Sequence, residues 1–245
     1  MCIRRGSRAG DLTVDATRLA ALLRSVDDDR RNGADVGERL CATCVEVLGV
    51  AGAGIMLMSE GEHRGTLGVS NAVISVVEEL QFTLGEGPCI DAYNTTLPVF
   101  EPDLGEPAVN RWPAFSGPAV DAGVGAVFGF PLRAGTANLG ALDLYLADPA
   151  DLLPHQVDDA TVMAEVISAT VLSLQADAAP GTLAPELRAG LAHRSGVHQA
   201  SGMVSAQLDI DVADALTRIR AHAYTTNRPI NDVARDIVAR RLRLA

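Results

Sequence analysis

The sequence predicts an α+β domain built on an antiparallel sheet, followed by an all-α bundle of three helices. Three observations carry this prediction. From about residue 35 to 177 the apolar pattern runs helix, strand, strand, helix, loops, hairpin, helix. Ala178-Ala179-Pro180-Gly181 then breaks the last helix, and every later pattern is helical. Charge changes sign at the same place. From Thr182 onward nine Arg face six acidic residues, a net of +3, whereas the overall charge is −11, so the preceding part carries −14. The division expected is a tail or helix over 1–34, one domain over 35–177 and another over 182–243.

Taken in order, residues 1 to about 33 are polar and charged around an apolar patch at Leu19, Leu22 and Leu23. Val36, Leu40, Cys41, Cys44, Val45 and Leu48 fall at helical spacing, and Ile55-Met56-Leu57-Met58 reads as a buried strand. Gly61-Glu62 turns the chain toward a return strand at Thr66–Val69, and a helix follows from Ala72 to Gln81. Residues 85–118 hold many glycines and prolines and read as loops. Val124–Leu132 and Gly140–Leu146 form a second hairpin. Pro154 opens a long helix whose stripe is Val157, Ala160, Ala164, Ile167, Val171 and Leu174. That stripe fits packing on the helix's own sheet, or in part on its copy in a homodimer.

Composition excludes several classes. No stretch approaches the length of a membrane span, and the start lacks the apolar core of a signal peptide, so a soluble cytoplasmic protein is expected. Four cysteines do not make a secreted disulfide framework. Cys41-Ala42-Thr43-Cys44 has the spacing of redox and zinc motifs, but both sulfurs lie on an apolar helix face and no second ligand pair exists. Packing is the expected role, with redox sensing that involves Cys89 as the alternative. The five histidines are scattered and form no nucleophile–base arrangement, so neither catalysis, a metal nor a cofactor is expected. All twenty basic residues are Arg, so Arg counts alone say little about function.

Several passages of the first domain resemble the GAF family of ligand-sensing domains. They are Gly54–Met58, Phe82-Thr83-Leu84-Gly85-Glu86-Gly87-Pro88-Cys89-Ile90-Asp91-Ala92, Gly125–Leu132 and Gly140–Tyr145. The resemblance implies a small-molecule or redox signal of unknown identity. Two glycines and a proline let the GEGPC loop pass close to a cavity and offer backbone amides to a ligand, or serve simply as a tight connection. Trp112 and Phe115 fit a pocket wall or an anchor into the core. Cys89, Trp112, Phe115 and Phe128 are the candidate ligand-binding residues.

In the last domain, helices are expected from Glu186 to about Gln207, from Asp211 as N-cap through Ala223, and from Ile230 through Ile237. Val197–Val204, then Ala213–Leu216 with Ile219, Arg220 and Ala223, then Val233-Ala234 with Ile237-Val238, resemble the ANTAR domain. That resemblance implies a transcription antiterminator that binds RNA hairpins in leader transcripts. One departure is Ser201, where the family often has lysine. Arg220, Tyr224 and Asn227 are four and three residues apart and share a flank of the second helix, with groups suited to phosphate, base stacking and base edges. Arg194, Gln199 and Ser201 extend the expected RNA face from the first helix. A DNA-binding repressor, or a redox or ligand sensor acting through protein–protein contact, are the other readings.

Overall fold

The computed structural model describes residues 36–59, 62–106, 111–179, 182–185, 187, 195–226 and 228–244. The expected helix or tail over 1–34 lies outside them, as do Arg194 and Asn227. The first part is helix α1 (Val36–Leu48), strands β1 (Gly52–Ser59) and β2 (Glu62–Val69), α2 (Ala72–Leu84), α3 (Pro88–Thr95), β3 (Val99–Glu101), α4 (Ser116–Asp121), β4 (Ala126–Ala134), β5 (Ala137–Leu146) and α5 (Pro154–Ala176). The five strands form one sheet in the order β2-β1-β5-β4-β3, antiparallel at every pairing. This is the α+β class read from the sequence.

Helices cover both faces of the sheet, which is why its strands read as continuous apolar runs rather than as alternating ones. On one face Ile55, Phe128, Phe130, Leu142 and Leu144 pack against α1 and α5. On the other, Met56, Met58, Val127, Ala141 and Tyr145 pack against α2, α3 and α4. The α5 stripe of Ala160, Ala164, Ile167, Val171 and Leu174 is buried on the chain's own sheet. It therefore lends no support to a dimer. α1 approaches β2 through two glycines: a Cβ on Gly37 would lie 2.0 Å from the Leu67 carbonyl oxygen, and one on Gly68 would lie 2.1 Å from the Gly37 carbonyl carbon.

The segment expected as loops contains two helices and an edge strand. α3 starts at Pro88 in its first turn and runs eight residues, too short for an apolar repeat to stand out. β3 is three residues long. α2 also extends to Leu84, where Gly85 at φ 71° ends it and donates its amide to the Gln81 carbonyl at 2.8 Å.

The last part holds α6 (Ser195–Leu208), α7 (Val212–Thr225) and α8 (Ile230–Val238). Asp211 caps α7, its carboxylate accepting the Asp214 amide at 2.8 Å. Val197, Ala200, Val204, Leu216, Ile219, Ile230, Val233 and Ile237 form its core, which also takes in Phe82 of α2, fully buried there. Asp236 accepts from Arg228 at 2.6 Å and from Arg241 at 2.7 Å, and these guanidiniums hold its carboxyl below the usual carboxylate range. Among the described residues, no helix is long and apolar enough to cross a membrane.

Candidate nucleic-acid interface and the polar cluster behind it

The two flanks of α7 differ. Beside the core stripe of Ala215, Leu216, Ile219 and Ala223, one flank carries Arg220 and Tyr224, as their four-residue spacing requires. Tyr224 is 63% exposed, a large aromatic ring left outside the core of an aromatic-poor chain. Arg220 is half-buried because it reaches across to α2. Its Nε donates to the Phe82 carbonyl at 2.9 Å, and its guanidinium carbon lies 5.7 Å from the centre of the Phe82 ring.

The opposite flank was missed in the sequence. There Arg218, His222 and Thr225 line a cavity of about 350 Å³ together with Ala221, Arg243 and Leu244. The chain after α8 turns back at Arg240, which has a φ of 57°. Leu244 is then buried against the three-helix core, and its carbonyl accepts from Gln207 Nε2 at 2.6 Å. That return brings Arg243 over α7. The spacing of Arg218, His222 and Thr225 by four and three residues was legible, but the arrival of Arg243 depends on a long-range turn.

On α6, Gln199 is exposed, as an RNA contact requires. Ser201 is not. It is 1% exposed and its hydroxyl donates to the Val197 carbonyl at 3.0 Å, so it belongs to the core and not to the face. The helical repeat explains this, since Ser201 follows Val197 by four residues and precedes Val204 by three.

In the first part, Cys89, Trp112 and Phe115 do come together on the α2–α3–α4 side of the sheet, all buried. Phe128 does not join them. It faces the α1–α5 side, because alternate residues of β4 point to opposite faces. The Trp112 and Phe115 rings meet edge to face at 5.9 Å. Carboxylates of the GEGPCID stretch hold this loop: Glu86 accepts the amides of Ala114 at 2.6 Å and Phe115 at 2.9 Å, and Asp91 accepts from Trp112 Nε1 at 3.1 Å.

Behind Cys89 lies a polar cluster that the sequence reading passed over. Gln81 donates from Nε2 to Asp143 Oδ2 and accepts the Cys89 amide on Oε1 at 2.9 Å. Glu78 stands beside them and accepts the Thr66 hydroxyl at 3.2 Å. Glu78, Gln81 and Asp143 are each no more than 1% exposed. Burial pushes the Asp143 carboxyl up to about 6. The Cys89 thiol is pushed well up by burial and then by the charges of Asp143 and Glu78. Among the described residues, buried Asp143 Oδ1 has no hydrogen-bond partner. A signal was present in the sequence, because Ile74, Val77, Glu78, Gln81 and Phe82 share one helical stripe and Asp143 interrupts an apolar strand.

Cys41 and Cys44 are buried thiols, outside any disulfide, on the α1 side of the core. Burial pushes the Cys44 thiol up to about 12, so it stays protonated at neutral pH.

A family model described as the GAF domain matches residues 32–171, and one described as the ANTAR domain matches residues 186–238. None of the curated proteins compared matches the chain. Among solved structures, the GAF domain from an Acinetobacter phosphoenolpyruvate-protein phosphotransferase is 14% identical with a TM-score of 0.49, over 68% of this chain and 99% of that one. The GAF domain of the Coxiella burnetii phosphoenolpyruvate-protein phosphotransferase is 15% identical with a TM-score of 0.47, over 66% and 97%.

Proposed function

From the premise that this chain belongs to the GAF domain family and carries an ANTAR domain at residues 186–238, we propose that it is a signal-responsive transcription antitermination regulator that binds RNA hairpins. Both families are regulatory. In this reading the first domain senses a small-molecule or redox signal, and the last domain holds a hairpin in a leader transcript, so that a terminator does not form. The domain border falls between about residues 177 and 182.

The observation that carries the RNA reading is the exposed ring of Tyr224 beside Arg220 on one flank of α7, with the basic groove of Arg218, His222 and Arg243 on the other. A ring left in water on a helix that also carries guanidiniums suits an unpaired base and its phosphates. Signal and RNA are linked only if each prefers the same state of the protein.

The test is binding of the full chain to a pool of stem–loop RNAs with a fixed stem and a randomised loop. Duplex DNA of the same length is the control, and both are titrated across salt. Tyr224→Ala is expected to weaken stem–loop binding by about tenfold, a typical loss when one base loses its stacking partner. Preference for duplex DNA would favour a repressor instead. Equal binding to both, governed by salt alone, would reduce the domain to a nonspecific basic patch.

A further inference from the structure

The Arg220 side chain serves as the C-terminal cap of α2. A helix ends with carbonyls that lack intrahelical partners and with a partial negative charge. α2 meets part of that need itself, through the Gly85 amide on the Gln81 carbonyl. It has no basic residue in its last turn. The Phe82 carbonyl instead accepts from Arg220 Nε, a cation brought from α7, 138 residues away in the chain. Three further features make this a fitted seat. The guanidinium lies against the Phe82 ring. The Phe82 side chain is enclosed by the core of the three-helix unit. Gly85 leaves the space that the guanidinium fills, since a Cβ there would lie 2.9 Å from the near terminal nitrogen of Arg220.

Arg220 belongs to the same flank as Tyr224, so we infer that the C-terminal end of α2 and hairpin RNA compete for this guanidinium, and that the docked unit is held in a state of low RNA affinity. The inference rests on the RNA reading above. Docking withholds Arg220 while leaving Tyr224 and the opposite basic groove open, so the docked chain retains weak RNA binding. The seat is also connected to the buried cluster. Phe82 directly follows Gln81, whose side chain ties α2 to Asp143 of β5 and to Cys89 of α3. The residue that anchors α2 in the buried cluster and the residue whose carbonyl holds Arg220 are thus neighbours in the same last turn.

Gly85→Asn separates the two roles of Arg220. Asn tolerates the left-handed conformation of a helix cap, and its side chain takes the place of the guanidinium without touching the core. In the full chain this change is expected to raise affinity for the stem–loop pool about tenfold, because affinity falls in proportion to the fraction of molecules competent to bind. Arg220→Ala should then lower affinity about tenfold in the Gly85→Asn background, where the guanidinium is free to reach RNA. Docking itself is read independently from the Arg220 Nε–H resonance, which should exchange slowly with water in the unaltered chain and fast in Gly85→Asn. Unprotected Nε–H in the unaltered chain overturns the inference, as does equal stem–loop affinity once protection is lost. If no variant prefers stem–loops over duplex, the RNA reading falls and this inference with it. Binding that is intact but ungated removes only the inference.

Discussion

Asp143 shows what one buried carboxylate does to this fold. Its usual value is 3.8, and burial raises it to about 6, so the folded state holds the proton more tightly than the unfolded state does. The resulting penalty is fully present above about pH 6 and is relieved as pH falls toward 4. A lift of that size corresponds to about 3 kcal/mol. Asp143→Asn keeps an acceptor for Gln81 and removes the charge. Chemical unfolding at several pH values is therefore expected to show stability of the unaltered chain falling between pH 4 and 6 and a flatter profile for the variant. Parallel profiles would mean that Asp143 does not titrate in this range. Ser201 makes the complementary point for a neutral group: its hydroxyl is spent on the Val197 carbonyl within α6, which removes it from any RNA face.

At the scale of elements, the contact of α1 with β2 is the most sharply constrained. The Gly37 and Gly68 backbones touch where any side chain would overlap main chain. Neither backbone can yield as a flexible side chain would, so Gly68→Ala is expected to cost about 3 kcal/mol in urea unfolding, at the upper end of overpacking effects. A loss below about 0.5 kcal/mol would indicate that the helix can slide on the sheet without cost. Element types were legible where the period was long enough. α1, α2, α5 and α7 each repeat their apolar residues over three or more turns, and Asp211 marks the start of α7. α3, α4 and β3 were not legible, because three to eight residues do not hold enough repeats and the surrounding glycines and prolines suggest loops.

For the whole molecule, the consequential feature is that the three-helix core borrows Phe82 from α2. A core that borrows a side chain unfolds in step with its lender. Phe82→Ala is expected to remove about 3 kcal/mol from the C-terminal unit. Calorimetry should then show a single transition for the unaltered chain, and an earlier, separate melting of the bundle in the variant. A single transition in both, shifted as a whole, would place the effect of Phe82 in the first domain instead.

The sequence by itself determined the α+β class, the helical ending and the change of charge near residue 180, because hydrophobic period, capping residues and net charge are local properties that survive without coordinates. It also placed Arg220 and Tyr224 on one flank, since helical spacing alone requires it. Tertiary structure decided what that flank does. Arg220 reaches a carbonyl 138 residues away, and Arg243 arrives beside Arg218 and His222 through a reversed tail. Each of these depends on contacts distant in the chain, for which no local pattern carries a signal.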